Sequence, residues 1–218
     1  MIVFDNPTVL FGTTCLACAA IHIISEWHNW RPMRSVSKIA ASTSFLVLAV
    51  INGATDSAYG RLVLIALILS WVGDILLLSL RSVSLLCGIA AFFFAHVLFT
   101  AAFASLPLNV TWLIIGTVIL VVSGLWFLRW MRGHLESLYK VAVPVYLIAI
   151  TLMTAFAIAA GAASGSAVLA IGAILFVASD VSVARDRFIA KSIVNKIWGL
   201  PLYYAAQNLF AVSVPLFR

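Results

Sequence analysis

The sequence predicts an all-α, polytopic membrane protein, a bundle of eight transmembrane helices with no separate soluble domain. Three observations carry this. Apolar residues make up 64% and charged residues 9% of the 218, and mean hydropathy is +1.16, whereas soluble domains run near half apolar and a quarter charged. Eight apolar stretches can be placed, each close to the ~20 residues that a spanning helix needs. The joins between them alternate in charge: all of the thirteen Lys and Arg residues except Arg61 and Arg218 fall on one side.

Taken in order, the stretches cover roughly 8–25, 36–52, 61–80, 84–105, 110–128, 138–160, 166–185 and 196–217. The first is preceded by Asp5 and by no basic residue, so it lacks the n-region of a cleaved signal and is expected to be retained. The first, third, fifth and seventh joins carry Arg31, Arg34 and Lys38; Arg81; Arg129, Arg132 and Lys140; and Arg185, Arg187, Lys191 and Lys196. By the positive-inside rule these joins are cytoplasmic and both termini lie outside. Trp27, Trp30, Trp126, Trp130 and Trp198 flank the same joins, where amphipathic rings suit the headgroup level. The opposite joins are short and rich in small residues, as in GAASGS at 161–166, and read as tight turns. Pro144 and Pro201 fall just inside their helices, where a missing amide donor is cheapest or bends the helix. The whole of 1–218 is expected to form one integral membrane domain, multi-pass, in the cell membrane if the host is bacterial.

The charge pattern excludes a nucleic-acid partner, because the basic residues form no continuous stripe. Cys15, Cys18 and Cys87 all lie in apolar segments, as small packing residues do, and no disulfide framework is expected. His22, His28 and His134 are scattered, and a lone His96 is a weak metal signal. Neither a metal site nor a cofactor is expected.

Two acids stand out: Asp74 in WVGDILLL (71–78) and Asp180 in ILFVASDVSVARDRF (174–188). An ionisable residue inside a span is costly and by default functional. Each lies seven residues before an arginine, Arg81 and Arg187, hence roughly 10 Å inside the cytoplasmic boundary at ~1.5 Å per residue. Tyr146, Tyr203 and Tyr204 reach the same layer, Gln207 lies a turn deeper, and His96 lies near mid-membrane. Gln207 shares a helix face with Tyr203 at i+4 and Tyr204 at i+3. Lys38, Arg187 and Lys191 read as topology determinants that would also suit a lipid phosphate. Polar groups thus converge on the cytoplasmic half. The bland reading of each acid is a hydrogen-bond clamp between helices, for Asp74 through Ser70.

The stretches VGDILLL (72–78), FFFAHVLFTAAF (92–103), PVYLIAITLM (144–153), GAILFVASDVSVARDRF (172–188) and LPLYYAAQNLF (200–210) resemble, in order and spacing, the YhhN family of membrane proteins, which includes the vertebrate lysoplasmalogenases. The resemblance covers the chain from the second span onward. One departure is Ile39 after Lys38, where many relatives read Lys-Pro. The resemblance implies a membrane hydrolase that cleaves the vinyl ether bond of lysoplasmalogens to a fatty aldehyde and a glycerophospho-base. It implies Asp74 and Asp180 as essential acids, and His96, Tyr146, Ser179, Arg187, Phe188, Tyr203, Tyr204 and Gln207 as further family positions.

The chemistry agrees with the residues. A vinyl ether hydrolyses when its β-carbon is protonated, giving an oxocarbenium ion that water attacks. Paired carboxyls divide acid and base roles at such a cation in glycoside hydrolysis. The expectation is that Asp74, bordered by Trp71 and the 75–78 apolar run, is the acid and that Asp180 is the carboxylate orienting water; the reverse is the alternative. A proton-coupled carrier is the main rival, since intramembrane acids also serve proton relays, but the paired broken helices of many carriers are missing. An intramembrane aspartyl protease is disfavoured by Trp71 and Ser179 at its motif positions. A purely structural subunit would leave both acids unexplained.

Overall fold

A computed structural model describes residues 6–79, 81–136 and 138–217. Asp5 and Arg218, used in the charge argument, lie outside the described residues. Among the described residues, eight α-helices are present: α1 (Asn6–Trp27), α2 (Arg31–Ile51), α3 (Ala58–Leu76), α4 (Ser82–Ala104), α5 (Val110–Met131), α6 (Tyr139–Ser164), α7 (Val168–Ala184) and α8 (Ile193–Ser213). No strand occurs among the described residues. Each helix falls on one of the eight apolar stretches.

The ends are set by local chemistry. Ser57 accepts from the Gly60 amide at the start of α3, Asn109 from Trp112 at α5, and Ser192 from Val194 at α8, supplying acceptors for orphan amides of the first turn. Gly165 closes α6 at φ 69°, a left-handed position that glycine takes without a Cβ penalty. That residue lies in the expected 161–166 turn. Pro144 and Pro201 lie inside α6 and α8.

Seven helices, α1 to α7 with their flanking turns, are long and apolar enough to cross a membrane, and the chain is an integral, multi-pass membrane protein. Helix α8 has the length but not the apolar character, because it carries Asn195, Tyr203, Tyr204 and Gln207 on its buried side. A helix that supplies the polar interior of a bundle scores as a poor span for that reason.

Consecutive helices joined by short turns run antiparallel, so the α1/α2, α3/α4, α5/α6 and α7/α8 joins share one end of the bundle. Helix α8 packs on α1, α2, α3 and α7; α6 packs on α4, α5 and α7. Helix α5 buries only Gly116, Gly124 and Met131 and lies outside the ring, with Gly124 against Leu147 and Gly116 against Ile158 of α6. At the basic end, Glu26 of α1 pairs with Lys196 of α8 at 2.7 Å and Arg34 of α2 at 3.3 Å. Helix α7 ends in a π turn, Arg185–Ile189, where Asp186 accepts from the Ser192 amide at 2.9 Å and the Asn195 side chain at 3.3 Å. π segments are uncommon and frequent at functional sites.

Candidate functional site

The residues singled out from the sequence gather toward the basic end of the bundle in two clusters. The first is built on Asp74 at the end of α3. Its Oδ1 lies 3.2 Å from Lys38 Nζ; its Oδ2 accepts from Ser42 Oγ at 2.6 Å and from the Tyr203 hydroxyl at 2.8 Å. Lys38 and Ser42 lie four residues apart on one face of α2, and the Tyr204 hydroxyl is 3.4 Å from Ser42 Oγ. Asp74 is 3% and Lys38 8% exposed, so this is a buried ion pair with hydroxyl donors on the oxygen that the ammonium leaves free. Gln207 is wholly buried one turn beyond Tyr203, with neither amide atom bonded to a described residue.

The second cluster is built on Asp180 of α7. Its Oδ2 accepts from the Tyr146 hydroxyl of α6 at 2.6 Å and lies 3.4 Å from His96 Nε2 of α4. His96 and Tyr146 are themselves 3.3 Å apart. His96 is fully buried, while the Asp180 side chain is 21% exposed. Tyr146 and His96 both meet Oδ2 of Asp180, and Oδ1 has no hydrogen-bond partner among the described residues.

Aromatic rings bridge the clusters. Tyr203 meets Phe92 and Phe176 edge-on, with centroids at 5.9 and 5.5 Å, and Phe176 meets His96 at 4.7 Å. Phe92 can lie there because residue 73 is glycine: a Cβ at Gly73 would sit 2.6 Å from the Phe92 ring.

The Asp180 cluster borders open space. A cavity of about 470 Å³ is lined by α4, α5, α6, α7 and the π turn, and Asp180, Tyr146 and Arg187 are among its few polar walls. This size and apolar character suit a small-molecule site with a few convergent polar groups. Asp74, Lys38 and Tyr203 are not among its described lining residues. Arg187 also borders a small polar pocket with Asp186 and Lys191, and its Nη2 donates to the Leu77 carbonyl at 3.0 Å. Phe188 packs on Tyr139.

The expected site residues therefore fall into two groups with no direct contact between the two carboxylates among the described residues, and His96, expected near mid-membrane, stands level with Asp180. Asp74 groups with Lys38, Tyr203 and Tyr204; Asp180 groups with His96 and Tyr146; Arg187 stands at the cavity wall. Lys38, expected to suit a lipid phosphate, instead has its ammonium on Asp74. Ser179 is buried beside Asp180 in sequence and outside the cavity lining. Ser42, Phe92 and Phe176 were not singled out from the sequence. Ser42 had a signal, its i+4 spacing from Lys38, but two phenylalanines in apolar runs had none.

The profile of the YhhN family matches residues 33–214, from early in α2 to the end of the helical bundle. The chain is 29% identical over 157 residues to lysoplasmalogenase TMEM86A of Bos taurus, covering 69% of this chain and 64% of that protein. It is 28% identical over 207 residues to lysoplasmalogenase TMEM86B of Sus scrofa, covering 94% and 84%, and 30% identical over 189 residues to that of Homo sapiens, covering 84% and 79%. The chain thus spans slightly less than two thirds of the bovine relative's length. No solved structure matches.

Proposed function

The chain belongs to the YhhN family, and from that premise we propose that it is a membrane hydrolase that cleaves the vinyl ether bond of lysoplasmalogen-type lipids to a fatty aldehyde and a glycerophospho-base. The observation that carries this reading is Asp180, held by Tyr146 and His96 on the wall of an apolar cavity. Relatives named lysoplasmalogenase at about this level of identity support it.

We assign the proton to Asp180 rather than Asp74. Both oxygens of Asp74 are taken, one by the Lys38 ammonium and the other by two hydroxyl donors, so neither is free to face a substrate. Asp180 has no Lys or Arg paired to it among the described residues, and Oδ1 remains for the substrate. Oδ1–H protonates the β-carbon of the vinyl ether, and the C=C electron pair forms the new C–H bond. The resulting oxocarbenium ion is stabilised by the carboxylate just formed, as fixed charge at a developing cation requires. Water adds to the cationic carbon and returns its proton to Asp180. The hemiacetal then collapses: its hydroxyl gives up a proton, the O–H electron pair forms the C=O of the aldehyde, and the C–O bond to glycerol breaks as that oxygen takes up a proton from Asp180. Tyr146 and His96 keep Oδ2 occupied, which fixes the orientation of Oδ1. Asp74, through Tyr203, stands behind the Phe92 and Phe176 wall as the second essential carboxylate. Arg187, with Lys191 close by in the polar pocket, suits the substrate phosphate.

In this reading the single domain spans the membrane eight times with both termini on the non-cytoplasmic side, and the cavity belongs to the cytoplasmic leaflet. The test is aldehyde release by purified protein in detergent from a 1-alkenyl lysophospholipid, with wild type and Asp180→Asn. Turnover by wild type and a loss of about a thousandfold or more in the variant is expected, as for removal of a general acid. Undiminished turnover in Asp180→Asn refutes the assignment, and lipid uptake into vesicles without aldehyde marks a carrier instead.

A further inference from the structure

The cavity is too shallow for the chain of a membrane lipid, and its exposed walls show where the remainder goes. Helix α5 lies antiparallel to α6 with Gly124 level with Leu147, so the deepest lining residues, Leu120 of α5 and Thr151 of α6, stand at one depth. From Tyr146, which marks the level of Asp180, to Thr151 is five residues, or about 7.5 Å at 1.5 Å per residue. A hydrocarbon core of about 30 Å is shared by two leaflets, so a lipid chain in one leaflet extends about 15 Å. Roughly half of such a chain has no room beyond Asp180.

The flank offers the missing length. Among the cavity's lining residues, Ser123, Trp126 and Trp130 of α5 and Val183 of α7 are exposed, although both helices lie within apolar spans. Helix α5 packs chiefly on α6, and with Gly124 against Leu147 its Ser123 and Trp126, like Val183 of α7, stand about level with Asp180 or nearer the basic end, so the seam between these two edges lies beside the carboxylate, not beneath it. We infer that this α5–α7 seam is a lateral portal, through which the single alkyl chain of the substrate runs from the cavity into the bilayer. The proposal rests on the reading of the cavity as a vinyl ether lipid site. The lipid then arrives and the aldehyde departs sideways within the membrane, while the water-soluble glycerophospho-base leaves past Arg187 and Lys191. The enzyme or carrier that next takes the aldehyde meets it as a membrane solute.

The portal sets a chain-length rule. Rates should stay nearly level from about six through eighteen carbons, because a chain that leaves sideways meets no end wall. Blocking the seam should leave only the depth below Asp180, room for about six to eight carbons, and make longer chains poor substrates. Ser123→Trp and Val183→Trp are compared with Ile174→Trp, an exposed α7 position outside the cavity lining. For the first two, the ratio of kcat/KM on sixteen-carbon to six-carbon alkenyl lysophospholipid should fall about tenfold or more, the scale on which a filled apolar pocket discriminates chain length. For Ile174→Trp the ratio should not move. A sharp loss of activity above eight to ten carbons, or an unchanged ratio in both seam variants, overturns the portal. If wild type releases no aldehyde at all, the hydrolase reading fails while the portal is still read by binding of non-cleavable alkyl ether lysophospholipids. Seam variants should then weaken the sixteen-carbon ligand relative to the six-carbon one, and equal weakening or none overturns it.

Discussion

Neutralising one member of the Lys38–Asp74 pair should cost more than neutralising both. At 3.2 Å the attraction between unit charges is about 5 kcal/mol at an effective dielectric of about 20. Withdrawing each ion from water costs several kcal/mol, so the pair as a whole contributes little net stability. Asp74→Asn alone leaves the Lys38 ammonium buried and unneutralised, and Lys38→Met alone strands the carboxylate. Each is expected to destabilise by about 3–5 kcal/mol, or roughly 6–20 °C in Tm at about 2–4 °C per kcal/mol for a chain of this size. The double variant Lys38→Met with Asp74→Asn should lose much less than the sum, leaving a coupling of 2 kcal/mol or more on the order expected for one network. Thermal unfolding of the four proteins in one detergent, followed by circular dichroism, gives the comparison. Additive losses would refute the argument that the ion pair, rather than each polar group separately, holds α2 to α3.

Two further outcomes follow from distances. Tyr146→Phe removes the 2.6 Å hydrogen bond to Asp180 without changing the ring that lines the cavity, and kcat for aldehyde release should fall about 10- to 150-fold, the equivalent of about 1.5–3 kcal/mol for a bond to the carboxylate that forms as Asp180 gives up its proton, with KM nearly unchanged. An unaltered kcat would show that Asp180 needs no such support. At the α7–α8 contact, a Cβ on Gly199 would collide with the Ser182 side chain, whose hydroxyl also donates to the Asn195 carbonyl at 2.5 Å. Gly199→Ala should therefore lower stability by about 1–3 kcal/mol, as overpacking does; a Tm within 1 °C of wild type would contradict that close approach.

Much of the helical architecture was legible because the lipid environment imposes a simple rule on sequence: backbone groups must bond within each segment, so each span reads as one apolar run. Helix α8 shows how that rule works in both directions. The same Tyr203, Tyr204 and Gln207 that mark it as part of the interior leave it short of the apolarity of a span. Height along each helix was legible too, since the rise per residue is fixed, and it put Asp74, Asp180, Tyr146 and Tyr203 toward one end of the bundle. The partition of those residues was not legible. Counting along helices gives height but not azimuth between helices, so two acids at one height read as one pair.

Azimuth is decided by side-chain packing across helices far apart in sequence. Lys38 reaches Asp74 because α2 packs on both α3 and α8. His96 reaches Asp180 because α6 brings Tyr146 between α4 and α7. Gly73 admits the Phe92 ring that, with Phe176, stands between the two groups. The sequence by itself determined the chemistry available and the height of each group along its helix, because composition and helical rise are local properties. Which carboxylate borders the cavity and which is locked to an ammonium was decided only by the tertiary structure, because that choice depends on contacts between helices that share no local sequence.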